Sequence, residues 1–122
     1  MAKVTLRIEL GTAGAVGPGK IKLLELLRET GSISAAGRAM DMSYRRAWLL
    51  IDALNQAFRQ PVVATQLGGK NGGGAALTPF GKELIARYRD MEQVAHSTMR
   101  SHLAALDRAR VPDKKARGKR SI

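Results

Sequence analysis

No cysteine occurs among the 122 residues, which excludes disulfides, thiolate metal sites and a cysteine nucleophile. Aromatic side chains make up only 4% of the chain, so any core must be built from Leu, Ile, Val and Ala. Histidine is almost as scarce. His96 and His102 are the only two, and six residues apart on a helix they point about 120° away from one another. Neither has a nearby cysteine or Ser–Asp constellation, and no Asp/Glu-rich cluster suited to a metal is present, so neither catalysis nor a bound metal or cofactor is expected. No apolar run approaches the roughly 20 residues needed to cross a bilayer. The opening "MAKVTLRIEL" is charged throughout and lacks the apolar centre of a signal peptide. The expectation is a cytoplasmic protein that is not an enzyme and has no membrane partner.

Acidic residues are the most telling shortage. Ten Asp and Glu face 21 Lys and Arg, a formal charge of +11. Seven of the basic residues lie in the last stretch, "DRARVPDKKARGKRSI", alongside two Asp. A basic tail of that kind can be a solvated extension. The surplus on residues 1–106 still favours a polyanionic partner, because each cation set against a phosphate releases condensed counterions. With 44% hydrophobic residues the chain suffices for one domain of about 100 residues. The division expected is 1–106 for one folded domain and 107–122 for a basic, disordered tail.

Periodicity sets out the elements. Residues 3–10 alternate, with Val4, Leu6, Ile8 and Leu10 on one side, as in a half-buried strand. "GTAGAVGPG" interrupts. From Lys20 to Thr30 a stripe of Ile21, Leu24 and Leu27, widened by Leu23 and Leu26, predicts a helix that Gly31 stops. Ser32 or Ser34 caps a helix of about two turns ending before Asp41, in which Ala35, Ala36 and Ala39 permit close packing. Ser43 caps a longer helix to about Gln60, stopped by Pro61, with Ala47, Leu50, Ile51, Leu54 and Phe58 as its buried stripe. Two helices joined by a tight turn make a helix-turn-helix pattern. "VVATQL" and "ALT" then flank the glycine-rich "GGKNGGGA", a hairpin of the kind called a wing. Thr78 and Pro79 open a helix predicted to run unbroken to about Arg108. At about 45 Å it is too long to bury against so small a domain, and its outer half is expected to pair with a second copy.

Within this pattern "SYRRAW" raises a question. Arg45 and Arg46 stand side by side in the first turn of a helix, where the dipole makes each mildly unfavourable, by up to about 1 kcal/mol. Two solvated arginines on an exposed face are the plain alternative. A binding role explains the position better, since the first turn of the second helix in this motif enters the major groove. There an arginine fork can bond O6 and N7 of guanine. Tyr44 can reach a thymine methyl or a phosphate, and Trp48 lies one turn on, at the flank between groove and core. At the hairpin tip, glycines around Lys70 and Asn71 let backbone approach a phosphate without side-chain clash. A merely flexible loop is the alternative there. A nucleotide cradle fails on spacing, because neither GxxxxGK[ST] nor a strand–GxGxxG–helix arrangement is present.

"GSISAAGRAMDMSYRRAW" and "GGKNGGGAALTPFGKELIARY" strongly resemble the N-terminal DNA-binding domain of ModE-type molybdate-responsive transcription regulators, a winged-helix group related to the LysR-type domain. The resemblance covers about residues 3–95, most specifically at "GSIS", "SYRRAW" and the glycine-rich wing. It implies a homodimer joined through a strand and long helices, and operator binding by recognition helix and wing. Carried over by position, Ser43, Tyr44, Arg45 and Arg46 match the recognition segment, Lys70 and Asn71 the wing tip, and Ser32 and Ser34 the serines opening the preceding helix, where hydroxyls and amides can hold phosphate. Members of the family continue into molybdate-binding domains. The 16 residues after Leu106 are too few for one, so oxyanion binding in the family's manner is not expected, and a signal-carrying protein partner could take its place.

The resulting expectation is a mainly α fold with a small β-hairpin, a winged helix-turn-helix with a long C-terminal dimerisation helix. Its function is that of a sequence-specific regulator of double-stranded DNA. The alternative is a nucleoid-associated protein of low sequence specificity. RNA binding is disfavoured by the lack of stacking aromatics. A winged helix used only as a protein-interaction module would leave both arginines without a role.

Overall fold

Gly17 and Pro18 begin the first helix of the computed structural model, which describes residues 1–67 and 73–113. Proline at the first helical position sacrifices only an amide that would have had no partner. Helix α1 (Pro18–Thr30) ends at Gly31, whose φ of 69° is the left-handed conformation that glycine adopts without strain. Its stripe is buried as predicted: Ile21, Leu23, Leu24 and Leu27 have no exposed surface. At about 1.5–3 kcal/mol for each large aliphatic side chain removed from water, α1 is the centre of the core. Helices α2 (Ile33–Ala39) and α3 (Tyr44–Ala57) pack on it, followed by the hairpin β3 (Val63–Leu67) and β4 (Gly73–Leu77) and by α4 (Pro79–Thr98). Val62, Val63, Ala75, Ile85 and Tyr88 complete the core. This is a mostly helical winged helix-turn-helix.

The amino-terminal segment keeps its predicted alternation, with residues 2, 4, 6, 8 and 10 partly covered and the odd ones exposed. The ladder is much shorter than the alternation. Strand β1 (Ile8–Glu9) pairs antiparallel with β2 (Ala15–Val16) through two residue pairs, the second strand lying inside a stretch predicted to be irregular. Glycines 11 and 14, both at positive φ, turn the chain back at once, and Pro18 starts α1, so no longer partner strand is available. Residues ahead of β1 lie along α4 instead. Tyr88 donates its hydroxyl to the Leu6 carbonyl at 2.7 Å.

Two helix lengths also depart from expectation. Helix α3 stops at Ala57 rather than Gln60, because Phe58 turns out of the helix (φ −122°, ψ 160°) and sets its ring against Phe80 at 5.1 Å. The predicted unbroken helix to Arg108 is two helices, α4 and α5 (Arg100–Ala109), separated at Met99 (φ −97°, ψ 12°). The preceding Ser97 and Thr98 carry hydroxyls that compete for backbone partners and weaken a helix interior. Helix α5 extends to Ala109, past the expected start of the tail at Asp107. The Asp107 carboxylate accepts from the Ala2 amide at 2.6 Å, so the last helix and the first residues of the chain hold each other.

Helix α4 is fastened at its start by the predicted Thr78 cap, whose hydroxyl accepts from the Gly81 amide and donates to the Pro61 carbonyl. Gly81 lies so close to the Val62 carbonyl that a Cβ there would collide with it. Further along, Arg89 forks onto Glu25 of α1 at 2.7 and 2.9 Å and also holds Glu92. The Arg89 hydrogen bonds hold the Glu25 carboxyl below its usual range despite the opposing effect of burial. They raise the guanidinium pKa in turn. Burial raises the Tyr88 phenol.

Candidate nucleic-acid interface

Five hydrogen bonds shape the link from α2 to α3. The Ser32 hydroxyl accepts from the Ala35 amide at 3.1 Å and so caps α2. At the far end the Met40 and Met42 amides both reach the Gly37 carbonyl, and the Asp41 amide reaches Arg38. Asp41 has a φ of 57°, the only positive value at a non-glycine among the described residues. Aspartate tolerates that conformation better than most side chains. The Ser43 hydroxyl then accepts from the Arg46 amide at 3.1 Å and starts α3. Where the helices cross, a Cβ on Gly37 would stand 3.0 Å from Cβ of Ala47. That contact brings α2 and α3 as close as two backbones allow and fixes the direction in which the front of α3 points.

Ser43, Tyr44, Arg45 and Arg46 are all exposed. Neither arginine makes an ion pair among the described residues, in common with Arg28, Arg38, Arg59, Arg100 and Arg108 and in contrast to Arg7, Arg87, Arg89 and Arg110. A helix advances about 100° per residue, and with Ala47, Ile51 and Leu54 buried, Arg45 and Leu49 occupy the centre of the opposite face. Tyr44 and Trp48 lie on one flank and Arg46 on the other. Three large side chains are exposed within this stretch: Tyr44 at 56%, Trp48 at 42% and Leu49 at 48%. Ser43, Arg45, Arg46, Leu49 and Leu50 line an open hollow of about 280 Å³. The arrangement offers two uncompensated guanidinium groups beside an apolar patch, on a helix whose position is set from behind.

Of the residues singled out from sequence, Ser43, Tyr44, Arg45, Arg46 and Trp48 come together on the first two turns of α3. Ser32 and Ser34 stand apart at the start of α2. Ser34 accepts a hydrogen bond from Arg38 at 2.8 Å, which puts an exposed cation beside it. Lys70 and Asn71 lie outside the described residues. The roots of their hairpin are well anchored: β3 and β4 pair antiparallel from Val63↔Leu77 to Leu67↔Gly73.

Three contributors escaped the sequence reading. Arg38 is one. Leu49 is the second, and the helical period that selected Leu50 as buried equally puts Leu49 outside, so that signal was available. The third, Asn55, was not detectable from sequence. Its side-chain oxygen accepts from the Val62 and Val63 amides, and its amide donates to the Val63 carbonyl, at 2.7–3.1 Å. One side chain of α3 thereby grips the root of the hairpin. On its other side the hairpin is tied to the end of α1, where the Ala75 amide donates to the Gly31 carbonyl at 3.1 Å.

No protein-family model matches the chain. Among curated proteins it is 37% identical over 92 residues to the molybdenum transport protein ModE of Azotobacter vinelandii, covering 75% of this chain and 33% of that protein. The molybdenum-pterin-binding protein MopB of Rhodobacter capsulatus is 46% identical over 81 residues, 66% of this chain and 30% of the relative. The DNA-binding transcriptional dual regulator ModE of Escherichia coli K12 is 36% identical over 93 residues, 76% and 36% respectively. The chain thus spans about a third of the length of the curated relatives it matches.

Proposed function

Starting from a chain that belongs with the ModE-type regulators as a domain of their amino-terminal, DNA-binding kind, we propose that it is a sequence-specific double-stranded DNA-binding transcription regulator acting as a homodimer. The observation that carries this reading is the pair Arg45 and Arg46, exposed and without carboxylate partners among the described residues, in the first turn of the second helix of a helix-turn-helix. Arg45 faces outward from the centre of α3 and is assigned a guanine edge. Arg46 on the flank is assigned a phosphate, with Arg38 and Ser34 serving the backbone on the opposite side of the turn. Lys70 and Asn71 at the wing tip serve the neighbouring groove. Asn55 and the Gly31–Ala75 hydrogen bond make helix and wing roots one unit, so that both meet the duplex in a constant relation.

The second copy is assigned to α4 and α5, where Met91, Val94, Met99 and Leu106 are exposed, together with the amino-terminal segment beside them. Large apolar side chains left in water along these two helices mark a contact surface. A two-fold pair of subunits would present its two α3 helices to half-sites about one helical turn apart. DNA reading, not oxyanion sensing, is the role these residues support.

The test is the affinity of the chain for a duplex recovered by selection from random sequence, compared with bulk duplex at one salt concentration. A regulator prefers its site by about 10³-fold or more, and sedimentation of the complex should give two chains per duplex. A ratio near one would favour the nucleoid-associated alternative, for which the net charge of +11 already provides a sequence-independent attraction.

A further inference from the structure

The arginines account for charge on the face of α3 but not for the leucine at its centre. Leu49 lies one turn beyond Arg45 on the outward side, 48% exposed, and its neighbour Leu50 already supplies the half-buried contact to the core. It caps nothing and fills no cavity. With Leu50 it lines an open hollow shared with Ser43, Arg45 and Arg46. An apolar patch beside two cations fits a ligand that is anionic overall and carries a small apolar group. In the major groove only one such group is offered, the 5-methyl of thymine.

Resting on the reading of α3 as the groove-entering helix, we propose that Leu49 is a specificity-determining residue that reads a thymine methyl one or two base pairs from the pair held by Arg45. The spacing defines the class of sequence. Arg45 and Leu49 are four residues apart, about 6 Å along the helix axis, and successive base pairs are about 3.4 Å apart. The half-site therefore contains a guanine and, one or two pairs away on either strand, a thymine whose methyl enters the hollow.

Replacing each thymine of the selected duplex in turn by deoxyuridine removes one methyl and leaves every hydrogen-bonding group in place. At one thymine per half-site the exchange should weaken binding about fourfold, the value of one methyl-sized group withdrawn from water. With Leu49→Ala, whose side chain is half exposed and contributes little to the core, thymine and deoxyuridine duplexes should bind equally while the guanine preference persists. The proposal is overturned if no deoxyuridine exchange matters although the duplex is still bound selectively, or if Leu49→Ala keeps the full thymine preference. Failure to select any preferred duplex would remove the groove reading itself, and this inference with it.

Discussion

Two surfaces of this molecule leave large apolar side chains in water, and their charges set them apart. On α3, Tyr44, Trp48 and Leu49 stand among arginines that have no carboxylate partner among the described residues. On α4 and α5, which expose Met91, Val94 and Leu106, Arg87, Arg89 and Arg110 are bound to Glu83, to Glu25 and Glu92, and to Asp107 and Asp113, while Arg100 and Arg108 make no ion pair among the described residues. A surface that neutralises most of its arginines suits another protein surface, where an unpaired buried charge costs several kcal/mol. A surface that leaves them free suits a polyanion. Hydrophobicity alone would not distinguish the two.

The contrast is broken most severely at the arginine pair. Arg45→Ala with Arg46→Ala should collapse the preference for the selected site, a loss of about 10³-fold, while circular dichroism and sedimentation stay unchanged. Surviving preference in a competition assay would remove α3 from the groove. On the other surface, Met91→Glu combined with Leu106→Glu sets like charges against one another in a two-fold contact. The dimer dissociation constant should rise by about 100-fold, the equivalent of roughly 1.4 kcal/mol for each side chain. Sedimentation that shows the same dimer would put the contact elsewhere.

A smaller effect sharpens the comparison by titrating the self-neutralised side. The folded Glu25 carboxyl is depressed from a reference of 4.5 by the Arg89 hydrogen bonds, so its contribution is present above that reference and lost as pH falls through the folded value. The urea midpoint should therefore drop on acidification below about pH 4.5, and less so in Glu25→Gln, which should also cost about 1 kcal/mol at neutral pH. Equal acid sensitivity in both proteins would show that Glu25 does not contribute it. Smallest of all, Lys70→Ala should lower the salt slope of DNA binding by about one unit with little change in site preference. An unchanged slope would place the wing tip away from the phosphates.

Much of the fold was legible because its signals are local. Apolar spacing located α1. Ser43 and one of the two serines offered for α2, Ser32, cap their helices by accepting amides, and Thr78 with Pro79 located the start of α4. The errors came where a distant partner decides the length of an element. Residues 3–10 alternate as a strand should, yet pair for only two residues because the returning strand is short. Phe58 fits the stripe of α3 but leaves the helix to meet Phe80. The helix expected to reach Arg108 breaks at Met99. In the candidate site the arginines were visible from motif and position. Asn55 was not, since nothing in the order of residues says that an amide side chain will meet the backbone of Val62 and Val63.

What the amino-acid sequence determined by itself is therefore the inventory: the helices and their caps, the cationic excess, and the presence of Tyr44, Arg45 and Arg46 at a helix front. Period, capping and charge are properties of neighbouring residues and need no knowledge of the rest of the chain. Only the tertiary structure decided which of these side chains face outward together. It also decided that α3 is pressed against α2 at Gly37 and tied to the hairpin through Asn55, and that Arg89 is neutralised by Glu25 from another helix. Those outcomes depend on contacts between residues far apart in the chain, whose distances are set by packing rather than by order.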